Sequence, residues 1–216
     1  MKTFLIGLLP LTLAAQGAGG VLFENDQVRV LKVTVQPGQK SPQHKHDLNR
    51  VMIYLGEGGQ KLTYQDGKVD DQRWKAGEVR WSPAGGLHTS ESSSNRSFQI
   101  VEVELKNKPF RGRAAVSALD PVRVSPKNYA VEMDNDQVRV IRFRNSALGK
   151  IPMHEHSLDR ITVFLTDFHA RVIPADGATS ELHKQAGDVT WGGPAKHAED
   201  NLSNHAVEVV AVEIKK

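Results

Sequence analysis

In the stretch "HKHDLNRVMIYL" (44–55), His44 and His46 stand one residue apart and Arg50 follows four positions after the second; "HEHSLDRITVFL" (154–165) repeats this with His154, His156 and Arg160. Alternate residues of an extended strand share a face, so each pair can offer two imidazole nitrogens to one ion. A third histidine follows each pair, His88 in "GEVRWSPAGGLH" and His197 in "GDVTWGGPAKH". Three neutral imidazoles form one side of a coordination sphere and leave positions for water or substrate, a donor set that suits Zn, Fe(II), Cu, Ni or Co. For the third histidine to converge on the pair, the sheet is expected to fold over into a closed barrel. A single histidine beside an apolar strand reads as a hydrogen-bonded core residue. Two matched sets of three read as metal ligands.

The arginine makes the pattern specific. If the strand runs on regularly, position 50 shares the parity of 44 and 46, and its guanidinium faces the same side. A permanently charged cation near a dication is repulsive unless an anion lies between them. Arg50 and Arg160 are therefore candidate substrate-binding residues, each holding a small carboxylate-like anion by a two-pronged hydrogen bond. The competing reading pairs Arg50 with Asp47 or Glu57 and Arg160 with Glu155 or Asp167, or lays the stem along the surface with its head in water. A bulge would reverse the parity, turn Asn49 or Asp159 inward, and return a carboxylate to the second set.

These residues sit in a long internal repeat. "ENDQVRVLKV" (24–33) recurs as "DNDQVRVIRF" (134–143), and the offset of 110 also maps Pro42 to Pro152, Gly77 to Gly187 and Trp81 to Trp191. After a one-residue deletion the offset is 109, mapping His88 to His197 and "EVELK" (102–106) onto "AVEIK" (211–215). Two copies of one fold are expected, over 21–106 and 129–216, with the proline-bearing segment 107–128 as linker. Within each copy "QVRVLKVTV", "FQIVEVEL" and "VEVVAVEI" alternate apolar and polar residues with period two, as half-buried strands do, and turns such as "PGQK" and "GEGG" separate them. The expected class is all-β, a small barrel or sandwich in each copy.

The residues then resemble a family. The cupins carry G-x5-H-x-H-x3,4-E-x6-G and, later, G-x5-P-x-G-x2-H-x3-N. The first copy meets the opening in "GQKSPQHKH" (38–46) and the second motif in "GEVRWSPAGGLH" (77–88) up to its last position, where Ser92 stands in place of Asn. The second copy shifts the proline but keeps His197 followed by Asn201. The resemblance implies two tandem double-stranded β-helix barrels, a divalent transition metal on the histidines, and dioxygenase, decarboxylase or isomerase activity on small oxygenated molecules. It departs from the family at the glutamate, for which Arg50 and Arg160 stand at the shorter spacing. That departure keeps a second reading open: a metal-free binding or scaffold module that recognises a small acid or sugar. Family barrels often pair through their outer sheets, so a homodimer is expected, and the better-kept spacing from His197 to Asn201 points to the second copy as the active one.

Other features bound the function. Residues 1–18 have one basic residue, an apolar run and then small residues, the profile of a secretory signal peptide, so the mature protein is expected to be periplasmic or secreted, without a membrane span. There is no cysteine, which excludes disulfides and thiol catalysis. A formal charge of +3 without a basic stripe argues against nucleic acid. Trp81 and Trp191 read as barrel packing, Met52, Tyr54 and Phe164 as pocket lining or core, and Arg29 and Arg139 as an exposed strand face or a salt bridge between copies. His169, His183 and His205 have no histidine counterparts in the first copy and stand outside both sets.

Overall fold

The computed structural model describes residues 18–110 and 116–216. Residues 1–17 of the expected signal peptide lie outside the described residues.

Valine- and isoleucine-rich alternation gives strands throughout. The first copy contains β1 (Ala18–Glu24), β2 (Val28–Val35), β3 (His44–His46), β4 (Arg50–Tyr54), β5 (Gly58–Tyr64), β6 (Val69–Trp74), β7 (Val79–Ser82), β8 (Gly85–Ser92) and β9 (Phe98–Leu105). One helical turn, α1 (Pro121–Val124), lies in the expected linker. The second copy contains β10 (Tyr129–Asp134), β11 (Val138–Asn145), β12 (Lys150–His156), β13 (Arg160–Phe164), β14 (Phe168–Pro174), β15 (Ser180–Lys184), β16 (Val189–Gly192), β17 (Ala195–Asn201) and β18 (Val207–Ile214). Each copy pairs its strands into a five-stranded sheet, β1-β2-β9-β4-β7 or β10-β11-β18-β13-β16, and a four-stranded sheet, β3-β8-β5-β6 or β12-β17-β14-β15. The duplicated sequence thus yields duplicated barrels, and the all-β expectation holds.

Of the strands read as half-buried, β2 keeps its alternation, whereas β9 and β18 are buried on both faces over most of their length. In β9, Val101 and Val103 are fully buried, yet Glu102 and Glu104 between them are 3% and 8% exposed. The apolar face of the first five-stranded sheet packs on its equivalent in the second, and Val51, Ile53, Val103, Ile161, Val163 and Val212 belong to one shared cluster. The acidic face turns into the barrel. Period two therefore marks two kinds of interior here, whereas alternation alone predicts a polar side that faces solvent.

Contacts between the copies repeat in matching pairs. Gln27 donates to Asp159 at 2.7 Å and Asn49 donates to Gln137 at 2.5 Å. Lys32 donates to the Gly187 carbonyl at 2.9 Å, and Arg142 to the Gly77 carbonyl at 2.6 Å. Gly77 and Gly187 have φ of +79° and +86°, which favours glycine, and a Cβ on Gly187 would meet the Lys32 Nζ at 2.9 Å. The repeated "NDQVRV" follows from the same contacts: Asn25 and Asn135 accept from the backbone N–H groups that open β2 and β11, and Gln27 and Gln137 cross to the other copy. Arg29 and Arg139 do not bridge the copies. Arg29 pairs with Glu104 at 2.5 Å, while Arg139 grips Asp120, the N-cap of α1, through both terminal nitrogens at 2.5 and 2.9 Å. Among the described residues no helix is long and apolar enough to cross a membrane.

Candidate functional site

The six histidines converge in two sets. Ligand-capable atoms of His44, His46 and His88 lie within 4.8 Å of one another, as do those of His154, His156 and His197. Ring centroids stand 4.6–5.6 Å apart in the first set and 4.5–5.7 Å in the second. The third histidine arrives by a shorter route than the expected fold-over. His88 lies directly opposite His44 across the β3–β8 pair, and His197 opposite His154 across β12–β17, so neighbouring strands bring them together. Closure of the barrel supplies something else, the groups from the facing sheet.

Arg50, Met52 and Tyr54 of β4 and Glu102 of β9 come from that five-stranded sheet and line a cavity of about 380 Å³ together with His46 and His88. Arg50 is only 6% exposed and points inward, though not because it continues the histidine strand: residues 47–49 separate β3 from β4, and its direction is set by the inner face of β4. Its guanidinium donates to Glu102 at 2.8 Å, to Ser82 Oγ at 2.9 Å, and through Nη1 to His46 Nε2 at 3.0 Å. The acid that pairs with it is thus Glu102, neither Asp47 nor Glu57. Burial pushes the Glu102 carboxyl up, against the pull of Arg50. Burial, with Arg50 beside it, drives His46 down to about 3. Because an arginine can only donate, His46 presents its Nε2 lone pair to Arg50.

In the second copy the same parts are arranged differently. The site is drier, with His154 fully buried and His156 6% exposed. His154 Nδ1 lies 2.9 Å from the Pro152 carbonyl, as His44 Nδ1 lies 2.9 Å from that of Pro42, and His156 Nδ1 lies 3.1 Å from Glu213 Oε1. A proton on each Nδ1 leaves the Nε2 lone pairs for an ion, the carboxylate–histidine support common behind metal ligands. Burial lowers His154, takes His156 well below its ordinary value, and takes His197 to about 3, with the neighbouring imidazoles and Arg160 adding to it. The rings are therefore neutral, as ligation requires. Tyr129 reaches in from β10 and places its hydroxyl 3.1 Å from His154 Nε2.

Arg160, half-buried, donates through Nη1 to the Gly193 carbonyl at 2.6 Å, and among the described residues no carboxylate lies within ion-pair distance of it. Neither Glu155 nor Asp167 takes it; Glu155 accepts from Ser117. Asp159 faces the other copy, bonded to Gln27 and Lys216, so no bulge returns it to the site. Two acids that sequence reasoning missed stand nearby. Glu199 shares the inner side of β17 with His197, is 8% exposed, and its Oε1 has no hydrogen-bond partner. Burial pushes Glu199 and Glu213 up to about 7, with arginines opposing. The only sequence signal for Glu213 was the repeat itself, which aligns it with Glu104.

Other expectations resolve as packing. Trp81 and Trp191 pack against the cluster shared by the copies, Trp81 also bordering the first barrel's cavity, and Phe164 joins the second barrel's core. Asn201 donates to the Ser146 and His205 carbonyls and accepts from the Ser203 N–H, so the spacing from His197 serves a loop.

A five-stranded and a four-stranded sheet closing around inward histidines, twice over, is the cupin fold in tandem. No protein-family model matches the chain, and a comparison with curated proteins finds no match. Solved structures do match. AerE from Microcystis aeruginosa superposes with a TM-score of 0.64 at 10% identity, over 94% of this chain and 99% of that one. Oxalate decarboxylase from Bacillus subtilis, a protein with Mn(II) centres, superposes with a TM-score of 0.59 at 10% identity, over 87% of this chain and 69% of that one.

Proposed function

We propose that this is an exported two-barrel metalloprotein that takes a small carboxylate-bearing molecule in its second barrel. One observation carries the reading: His154, His156 and His197 bring three neutral nitrogens together, while Arg160, close enough to lower the pKa of all three, has no carboxylate within ion-pair distance among the described residues. His154, His156 and His197 would hold a borderline divalent ion, Zn, Fe(II), Cu, Ni or Co, which supplies a Lewis acid or an oxygen-activating centre. Arg160 binds and orients the anion by its remaining guanidinium donors. Glu213 fixes the His156 ring. Glu199, with one oxygen unbonded, is placed to accept or return a proton on the same inner face. The leader-like residues 1–18 support export.

The first barrel supports the other reading, a binding module. Arg50 already covers the His46 lone pair and is neutralised by Glu102, so its cavity is suited to a neutral or weakly polar ligand. The test is metal content of the mature chain, purified without tag or chelator, beside His156→Ala and His46→Ala. About one equivalent lost in His156→Ala, with His46→Ala unchanged, supports the second barrel as the metal centre. Oxalate, suggested by the decarboxylase neighbour, is the first carboxylate probe, and Arg160→Met is expected to weaken its binding at least tenfold. A metal content in His156→Ala equal to that of wild type would sink the assignment.

A further inference from the structure

A third cluster of donors lies outside both triads, on the outer face of the second barrel. β14 and β15 pair antiparallel with His169 opposite His183 and Arg171 opposite Glu181. Phe168 and Ala170 point into the barrel core, so His169 and Arg171 point away from it. The two imidazoles stack at 3.8 Å between centroids with planes 21° apart. Glu181 Oε2 lies 2.9 Å from His169 Nε2 and 3.8 Å from His183 Nε2. The three donor atoms lie within 4.8 Å of one another, on side chains 35%, 49% and 67% exposed for His169, Glu181 and His183.

Position by position, the first copy has Gly59, Asp71 and Arg73 at these places, with Gly59 opposite Arg73 in the same register. The cluster is therefore particular to the second copy and is no remnant of the duplicated site. A directly opposed pair in a sheet holds its side chains about 5 Å apart at Cβ, and a residue two places along the same strand shares the face, so the backbone fixes all three donors before any ligand arrives. Two imidazoles and one carboxylate suit borderline divalent ions, whereas Ca²⁺ and Mg²⁺ favour all-oxygen sets.

We propose that His169, Glu181 and His183 form a surface site for Zn(II) or a similar divalent transition ion, separate from the inner triads. β15 is the edge strand of its sheet, next to β14 only. An ion shared by the two strands ties that open edge to its neighbour. The remaining coordination positions face water and the shallow depression that His183 and His205 line.

The test is Zn(II) stoichiometry by equilibrium dialysis near neutral pH, on the full chain. Wild type is compared with His169→Ala/His183→Ala and with Glu181→Gln, each also in a His46→Ala/His156→Ala background that disables the inner sets. The expected result is loss of one equivalent in the outer double variant in both backgrounds, and weaker binding of that equivalent in Glu181→Gln. Zn(II) is also expected to slow amide exchange across Ser180–Lys184 in wild type and not in the outer variant. An unchanged count in both backgrounds, or equal exchange protection with and without the outer histidines, overturns the proposal whatever the inner triads bind.

Discussion

Arg50 and Glu102 form a charge pair with side chains 7% and 5% exposed, and the surroundings leave neither able to stand alone. Taking ions out of water is costly, and their mutual attraction offsets that cost only while both are present. Glu102→Ala is expected to lower the unfolding free energy by about 3–5 kcal/mol, because Arg50 stays charged and loses its counter-ion. Arg50→Met with Glu102→Leu should cost less than the sum of the single changes, as read by urea denaturation; additive losses would mean that the pair is not coupled. Arg50 was legible as an inward residue, but for a reason that fails, since its strand is not the histidine strand. Glu102 was hidden because an acid alternating with valines reads as a solvent-facing position. Nothing local tells such a residue that its solvent is a barrel interior.

Elements were the most legible level, because valine-rich alternation and glycine-bearing turns are local properties. The 107–128 segment shows what alternation misses. Asp120 caps α1 by accepting from the Val122 N–H at 3.1 Å and binds both terminal nitrogens of Arg139, so the short turn is fastened to β11. Burial alone would raise the Asp120 carboxyl, but Arg139 and the cap donors outweigh it and hold it below the usual carboxylate range. With the folded value below the unfolded one of about 3.9, the contact stabilises above that value and is lost as pH falls through the folded value. Asp120→Asn should therefore be less stable than wild type by about 1.5–3 kcal/mol at pH 7. The gap should shrink steadily below about pH 4, as both proteins are melted across that range. A gap that persists undiminished at pH 2 would show that Asp120 acts through packing rather than charge.

At the scale of the whole molecule, the repeat made two copies legible, and the matched histidines and glycines located their sites. It left out what joins them, because a valine that faces the other copy is indistinguishable in sequence from one that faces its own barrel. The shared cluster takes the outer faces of both five-stranded sheets, so the two copies of one chain pair through those sheets. Each half alone would expose a continuous apolar face that includes Val51, Ile53 and Val103, or Ile161, Val163 and Val212. The full chain is therefore expected to unfold in one cooperative transition, and Ile161→Ala in the second copy should lower that single midpoint, at a cost of about 2–5 kcal/mol. Residues 18–106 and 116–216, produced separately, should self-associate or aggregate and should form a one-to-one complex when mixed. Sedimentation of each half and of the mixture reads this directly. Two halves that remain monomeric, melt independently and ignore each other would mean that the valine faces are dispensable, and that the linker alone holds the barrels together.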